Sequence, residues 1–303
     1  MSNDRPLVGI LFMLCFCLLA PSADAIAKIL GQSLPIVAIL LCRFVFQFLL
    51  LAPAVIATRR PWRLSGRPLR LTLWRTVLHI TGVGLMFKSL QYLPLADAIA
   101  IAFVMPFIML LLGKYVLNED VGLRRLLACV VGFIGTLVVI QPSFVSVGWP
   151  ALLPLSVALI FALFMLVTRQ IAKEIDPITL QAVSGFMATA ILLPATLIGT
   201  AYGIQAFSLP TPSASEWVLL LALGLLGTFA HLFMTWALKY APSTTLAPMQ
   251  YLEIPFATAI GWLVFSDLPN GLVGAGILVT LAAGLYVIYR EQANMRLFQE
   301  TSQ

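Results

Sequence analysis

The chain has 303 residues, 61% of them hydrophobic and only 10% charged, with a formal net charge of +6; its mean hydropathy is +1.01. A soluble domain is normally about 45–50% apolar and about 25% charged, so both norms are missed in the same direction. No water-soluble core can hide that much apolar surface, and the bilayer must be the solvent. A nucleic-acid reading of the positive charge would need a basic folded face, which the sequence does not offer.

In chain order, residues 5–25 imitate a secretory signal: Arg5, an apolar run, then Ala23-Asp24-Ala25 in the manner of a cleavage site. The apolar run continues from Leu7 to about Leu30, long enough to span a bilayer, and is read as a first membrane helix that is retained. Nine further runs follow, giving ten spans at roughly 7–30, 35–58, 71–91, 94–117, 122–140, 148–168, 177–201, 215–239, 242–265 and 270–289. The stretch 126–168 carries no charge and is too long for one helix; Gln141-Pro142-Ser143 and Gly148-Trp149-Pro150 are expected to divide it. The connections are short, which leaves no room for an inserted soluble domain.

Basic residues set the orientation. With the N-terminus in the cytoplasm, that side receives Arg5, the cluster Arg59 to Arg70, Lys114, Arg124, Arg125, Arg169, Lys173, Lys239, Arg290 and Arg296, with Arg75 just inside the third span. The opposite loops around 141–147, 202–214 and 266–269 contain no Lys or Arg. Both termini are therefore expected in the cytoplasm of an inner-membrane protein.

The two halves resemble each other at an offset near 148, dividing the chain into 1–143 and 144–303. Tyr92-Leu93-Pro94 answers Tyr240-Ala241-Pro242, and Pro106-Phe107 answers Pro255-Phe256 after a one-residue slip. Glu119 answers Asp267, and Leu137 to Ile140 answers Leu285 to Ile288. Earlier, Pro35-Ile36 and Phe44 answer Pro177-Ile178 and Phe186, and Lys28 answers Arg169. Five spans per copy is an odd number, so the second copy starts on the other side and the repeat is inverted. Inverted repeats are the usual architecture of alternating-access carriers, with the substrate near the midplane between the halves.

No catalytic constellation is visible, and the chain is read as not an enzyme. His79 and His231 are far apart, and no nucleophile-elbow, zincin or Walker motif occurs. Cys15, Cys17, Cys42 and Cys129 sit in apolar runs without ligand spacing and read as small buried hydrophobes. Neither a metal nor a cofactor is expected. The informative residues are intramembrane polar ones, because a charge at a helix centre costs about 2.5–3.5 kcal/mol on insertion scales.

Glu253 lies eleven residues into the ninth span, about 16 Å deep by helical rise, beside Pro255, which can kink the helix. It is either a substrate- or proton-binding acid or a hydrogen-bonded packing residue. Arg43 and Asp24 are expected to pair, as a gate or as structure. His79 can bond substrate, shuttle a proton or simply pack, and His231 has the same choices. Gln250 shares a helix face with Glu253, and Tyr251 is adjacent. Together these seven define an expected substrate path. Lys88 and Asp97 flank a tight outer turn. Trp62, Trp74, Trp236 and Tyr240 read as interfacial anchors, and Gly224 and Gly227 as helix-packing positions.

The run Ala96-Asp97-Ala98-Ile99-Ala100, then Met105-Pro106, Asn118-Glu119-Asp120, Gly132 and Gly135, resembles the fourth and fifth spans of the drug/metabolite transporter superfamily, EamA type. Ala237 to Pro242, Glu253-Ile254-Pro255 and Gly276 to Gly284 resemble the last spans of the second copy. The resemblance covers about residues 5–290. It implies a ten-helix metabolite carrier, nearest to exporters of aromatic amino acids, acting on a small-molecule substrate with protons as a possible coupling ion, as a monomer or weak homo-oligomer. Glu253 departs from many members, and relatives importing riboflavin or S-adenosylmethionine give the alternative.

Overall fold

The structure, a computed structural model, describes residues 5–119, 122–268 and 271–300, and every regular element among them is a helix. The first three helices, α1 (Pro6–Leu30), α2 (Ile36–Ala57) and α3 (Gly66–Ser89), are continuous. The fourth expected span is broken into α4 (Leu95–Ala102) and α5 (Met105–Val116), and α6 (Leu123–Val147) closes the first half. A 3-10 turn at Trp149–Leu152 leads into α7 (Leu153–Ile171), followed by α8 (Pro177–Ala201) and α9 (Ala214–Tyr240). The ninth expected span is broken twice. It comprises α10 (Ser243–Leu246), a 3-10 stretch at Ala247–Leu252 and α11 (Glu253–Phe265), before the long α12 (Gly271–Glu300).

Local chemistry explains where the helices begin and end. Asp176 caps α8, its carboxylate accepting from the backbone N–H groups of Ile178 at 3.0 Å and Thr179 at 3.2 Å, with Pro177 preset for the first turn. Ser213 and Glu216 form a reciprocal capping box at α9. The break between the fifth and sixth spans comes later than expected: α6 runs through residues 141–143 and stops at Gly148, whose φ of 69° and ψ of −141° suit only glycine. One proline costs a helix a single hydrogen bond, which a long apolar helix can absorb. The third helix starts five residues before the expected span because the apolar run, not the helix, ends at the membrane edge.

Six helical stretches among the described residues are long and apolar enough to cross a bilayer: α1, α2, α4 with α5, α7 with its leading turn, α8 and α9. The other expected spans are helical without meeting that measure. The inner half of α3 carries Thr72, Arg75, Thr76 and His79, α11 is short because its span is broken, and α6 and α12 contain side chains outside the described set. Arg124, Arg125, Arg290 and Arg296 belong to that set, and Asp120 lies outside the described residues altogether. Large apolar side chains such as Leu11, Ile56, Leu127, Val218 and Leu278 point outward from the bundle. So broad an apolar exterior is a lipid-facing surface.

The two halves interleave instead of packing as separate bodies. The main helix pairs are α1 with α9, α3 with α7, α2 with α8 and α6 with α12. Exchanging first-half helices for their second-half counterparts turns α1·α9 into α7·α3 and returns α2·α8 and α6·α12 to themselves. Small residues allow these approaches: a Cβ at Gly9 of α1 would collide with Ala241, and one at Gly224 of α9 with Phe46.

Candidate functional site

The centre of the bundle holds a cavity offering about 70 Å³ to the centres of water-sized molecules. That is room for several waters, since one needs at least about 10–15 Å³ by this measure. Its walls are apolar and aromatic, with Phe16 and Ala20 of α1, Phe87 of α3, Phe103 at the α4–α5 break, and Phe161 of α7. Four ionisable side chains interrupt them: Asp24, Arg43, His231 and Glu253.

Both broken helices meet this cavity. Glu253 is the first residue of α11, where the positive end of the helix dipole favours a carboxylate. Its counterpart at the offset of 148 is Met105, the first residue of α5, and Met105 lines the same cavity. The break thus precedes Glu253 instead of following at Pro255. Discontinuous helices whose ends face a midplane site are a recurrent device of secondary carriers.

Arg43 is 2% exposed and has no carboxylate partner among the described residues. The expected Asp24–Arg43 ion pair is not formed; the two side chains line one cavity. Instead Arg43 Nη2 donates to His231 Nδ1 at 3.0 Å and lies 3.5 Å from His79 Nε2. Arginine cannot accept, so His231 must present Nδ1 without its proton. The same Nδ1 is 3.0 Å from the Gly227 carbonyl, which it could satisfy only as a donor. One tautomer cannot make both bonds, so His231 has two alternatives, one of which releases Arg43. Arg43 Nη1 is buried with no partner among the described residues. Phe44 lies under the guanidinium, 4.8 Å from Cζ to the ring centre. Gly227 makes room for this approach: a Cβ there would stand 2.7 Å from Arg43 Nε, and the guanidinium would have to shift.

The structure therefore brings together Asp24, Arg43, His231 and Glu253. His79 sits just behind, its ring 4.2 Å from that of His231 and 4.7 Å from Phe164. Gln250 and Tyr251 do not line the cavity. Gln250 Nε2 donates to Met165 Sδ at 3.0 Å, and Tyr251 bonds the Cys129 carbonyl at 3.3 Å while packing over Gly132.

Sequence reading missed Arg75, which it set among the interfacial cations. Arg75 is fully buried and held by neutral groups alone. It donates to Thr168 at 2.9 Å, Ser184 at 2.8 Å, Gln181 at 2.9 Å and Thr235 at 3.3 Å, above the face of Phe164. The available signal was the hydrophilic spacing Thr72, Arg75, Thr76, His79, one face of a helix at i, i+3, i+4 and i+7. This layer lies toward the arginine-rich end of the bundle, and the cavity toward the other.

Each end carries a cross-half ion pair. At the arginine-rich end Arg169 bonds Glu119 at 3.1 Å and the Leu238 carbonyl at 2.5 Å. Glu119 also accepts from the Ser243 hydroxyl at 2.6 Å and the Thr244 N–H at 3.0 Å, capping α10. At the other end Lys28 lies 3.5 Å from Asp267 and donates to the Leu93 carbonyl at 3.1 Å. Lys28 and Arg169 answer one another in the repeat, as do Glu119 and Asp267. The two clusters are thus counterparts, but the first is mostly shielded from solvent and multiply bonded while Asp267 is 41% exposed. Lys88, at the tight outer turn, donates to Gln91 at 2.8 Å.

An all-helical bundle with a lipid-facing exterior and broken helices around a partly polar central cavity defines a membrane carrier. The EamA-like transporter family model matches the chain twice, at residues 7–141 and 148–290, and the protein belongs to that family. It is a multi-pass protein of the bacterial inner membrane. It is similar to an S-adenosylmethionine uptake transporter of Rickettsia prowazekii, 26% identical across 95% of this chain and 94% of the relative. It is also similar to a riboflavin transporter of Rhizobium johnstonii, 28% identical across 97% and 95%. A pseudopaline exporter of Pseudomonas aeruginosa is 27% identical across 86% and 88%. A crystal structure with TM-score 0.68 and 17% identity, covering 92% of this chain and 95% of its own, shares the fold.

Proposed function

We propose that this protein is a secondary, alternating-access importer of a bulky, partly aromatic metabolite of the S-adenosylmethionine or riboflavin kind. The observation that carries it is the aromatic-lined central cavity where both broken helices meet, with Asp24, Arg43, His231 and Glu253 on its wall. Ten spans, an inverted repeat divided near residues 143 and 144, and cytoplasmic termini complete the reading. The repeat-related helix pairs and the arginine asymmetry support them. His79 belongs to the site through its contact with Arg43, and Gln250 and Tyr251 support the broken helix that presents Glu253. Glu253 is the acid proposed to take up protons if transport is proton-coupled, and a monomer suffices for the mechanism. The similarity to uptake proteins favours import of a larger metabolite over export of aromatic amino acids, whereas the similarity to an exporter keeps efflux as the second reading.

Purified protein in liposomes, assayed with labelled S-adenosylmethionine, riboflavin and tryptophan with and without a pH gradient, tests this. Accumulation of either larger metabolite above empty liposomes is expected. Movement of tryptophan alone would restore the amino-acid reading, and movement of none of the three would overturn the proposed substrate class.

A further inference from the structure

S-adenosylmethionine and riboflavin, the substrates named for two kinds of relative, differ sharply in charge. Riboflavin carries neither an ammonium nor a carboxylate. S-adenosylmethionine carries one carboxylate, one ammonium and one sulfonium, beside an adenine ring. The cavity wall carries one cation, Arg43, and two acids, Asp24 and Glu253, among phenylalanines.

Three features of Arg43 mark it as a ligand-binding group. Its Nη1 is buried without a partner, although arginine donors in low dielectric are costly to leave unmade. Its other terminal nitrogen meets only the neutral imidazole of His231, in the one tautomer that can accept, and that contact does not cancel the charge. Its approach to the wall is made possible by Gly227, where any side chain would displace it. A guanidinium so placed suits a carboxylate, which it can meet with directed hydrogen bonds. On the acid side, Asp24 and Glu253 have no ion-pair partner among the described residues. Two unpaired carboxylates beside one cavity suit two positive centres, or one substrate cation plus a proton. A neutral flavin would add no charge to offset the excess of acid over cation on this wall.

Resting on the carrier reading, we infer that the cavity selects amino-acid-headed, cationic substrates, with Arg43 holding the carboxylate, Asp24 and Glu253 the positive centres, and the phenylalanines the aromatic ring. In this assignment Arg43 is the specificity-determining residue.

Binding to the purified full-length protein, measured by calorimetry, separates the charges by changing the ligand instead of the protein. S-adenosylmethionine is compared with its decarboxylated form, which lacks the carboxylate, and with S-adenosylhomocysteine, which lacks the sulfonium charge. Each deletion is expected to weaken binding at least about tenfold, with riboflavin weaker still. Arg43→Gln should bring S-adenosylmethionine down to the affinity of the decarboxylated form and leave that form nearly unchanged. Arg43→Lys, which keeps the charge, should recover part of the difference. Equal affinity for the carboxylated and decarboxylated ligands in the unaltered protein overturns the inference, as does riboflavin binding more tightly than S-adenosylmethionine. In the latter case liposome uptake of riboflavin would still uphold the carrier reading. Failure of every ligand to bind or be transported would remove both.

Discussion

Arg43, Arg75 and Glu253 are three buried ionisable residues with different companions, and their companions decide their roles. Arg75 is saturated by hydroxyls and an amide, so its donors are satisfied and it reads as structure. Arg43 keeps a free donor, and Glu253 faces the cavity without a cation. Glu253→Gln preserves shape and removes the charge. It is expected to leave a folded, membrane-inserted protein with transport slowed at least about tenfold and a flattened response to external pH. Normal transport with an unchanged pH profile would make Glu253 a packing residue and leave the family assignment standing. Gly227→Ala probes Arg43 indirectly. The added methyl meets the mobile end of a side chain and not backbone, so melting in detergent should shift by less than about 1–3 kcal/mol of overpacking strain, while substrate affinity falls. Equal affinity in the two proteins would show that the seat of Arg43 is unimportant.

Among the elements, the broken helices and the α6 terminus are the ones hydropathy could not describe. A hydropathy window senses apolar length, and α4 with α5 or α10 through α11 have that length whether or not the backbone hydrogen bonds are continuous. The breaks became visible only as geometry: a turn at Phe103–Val104 and a 3-10 stretch at Ala247–Leu252. At the α6 end, Gly148 adopts a φ of 69° with ψ of −141° and has open space around its Cα. Gly148→Ala therefore meets no neighbour and reports backbone strain alone. A destabilisation of about 1–3 kcal/mol is expected in detergent unfolding. No measurable change would show that the α6–α7 connection can adopt another conformation at little cost.

For the whole molecule, the two cross-half ion pairs behave as counterparts of unequal strength. The Arg169–Glu119 cluster is mostly shielded from solvent and supported by Ser243 and Thr244, while Lys28–Asp267 is looser and more exposed. The Arg75 layer and the Arg169–Glu119 pair both stand between the cavity and the arginine-rich end. Glu119→Gln should loosen that barrier. In inside-out vesicles, a membrane-impermeant maleimide should label Thr235→Cys, within the Arg75 layer, several-fold faster in the Glu119→Gln background, while Asp267→Asn should not accelerate it. Identical labelling in all backgrounds would deny the pair any closing role. Orientation is a separate matter: reporter fusions after residues 65, 120 and 290 are expected to read cytoplasmic and those after 145 and 207 external, on the arginine asymmetry. An external signal at 65 would reverse the assignment.

By itself the sequence determined the solvent, the helical class and the family, because each is written in composition or in short-range order: apolar length and the family's local motifs. It also picked out Glu253, Arg43, Asp24 and His231, since an ionisable group in an apolar run is conspicuous whatever surrounds it. Only the tertiary structure decided which of these share a cavity. Asp24 and Arg43 were expected to pair and instead line one cavity without an ion pair. Gln250 and Tyr251 lie on the right span but turn into packing, and Arg75 looks like an interfacial cation until Ser184, Gln181 and Thr235 from other helices close around it. The reason is that a helix fixes a residue's height in the membrane, while the neighbours it meets at that height are set by rotations and breaks of helices far away in the chain.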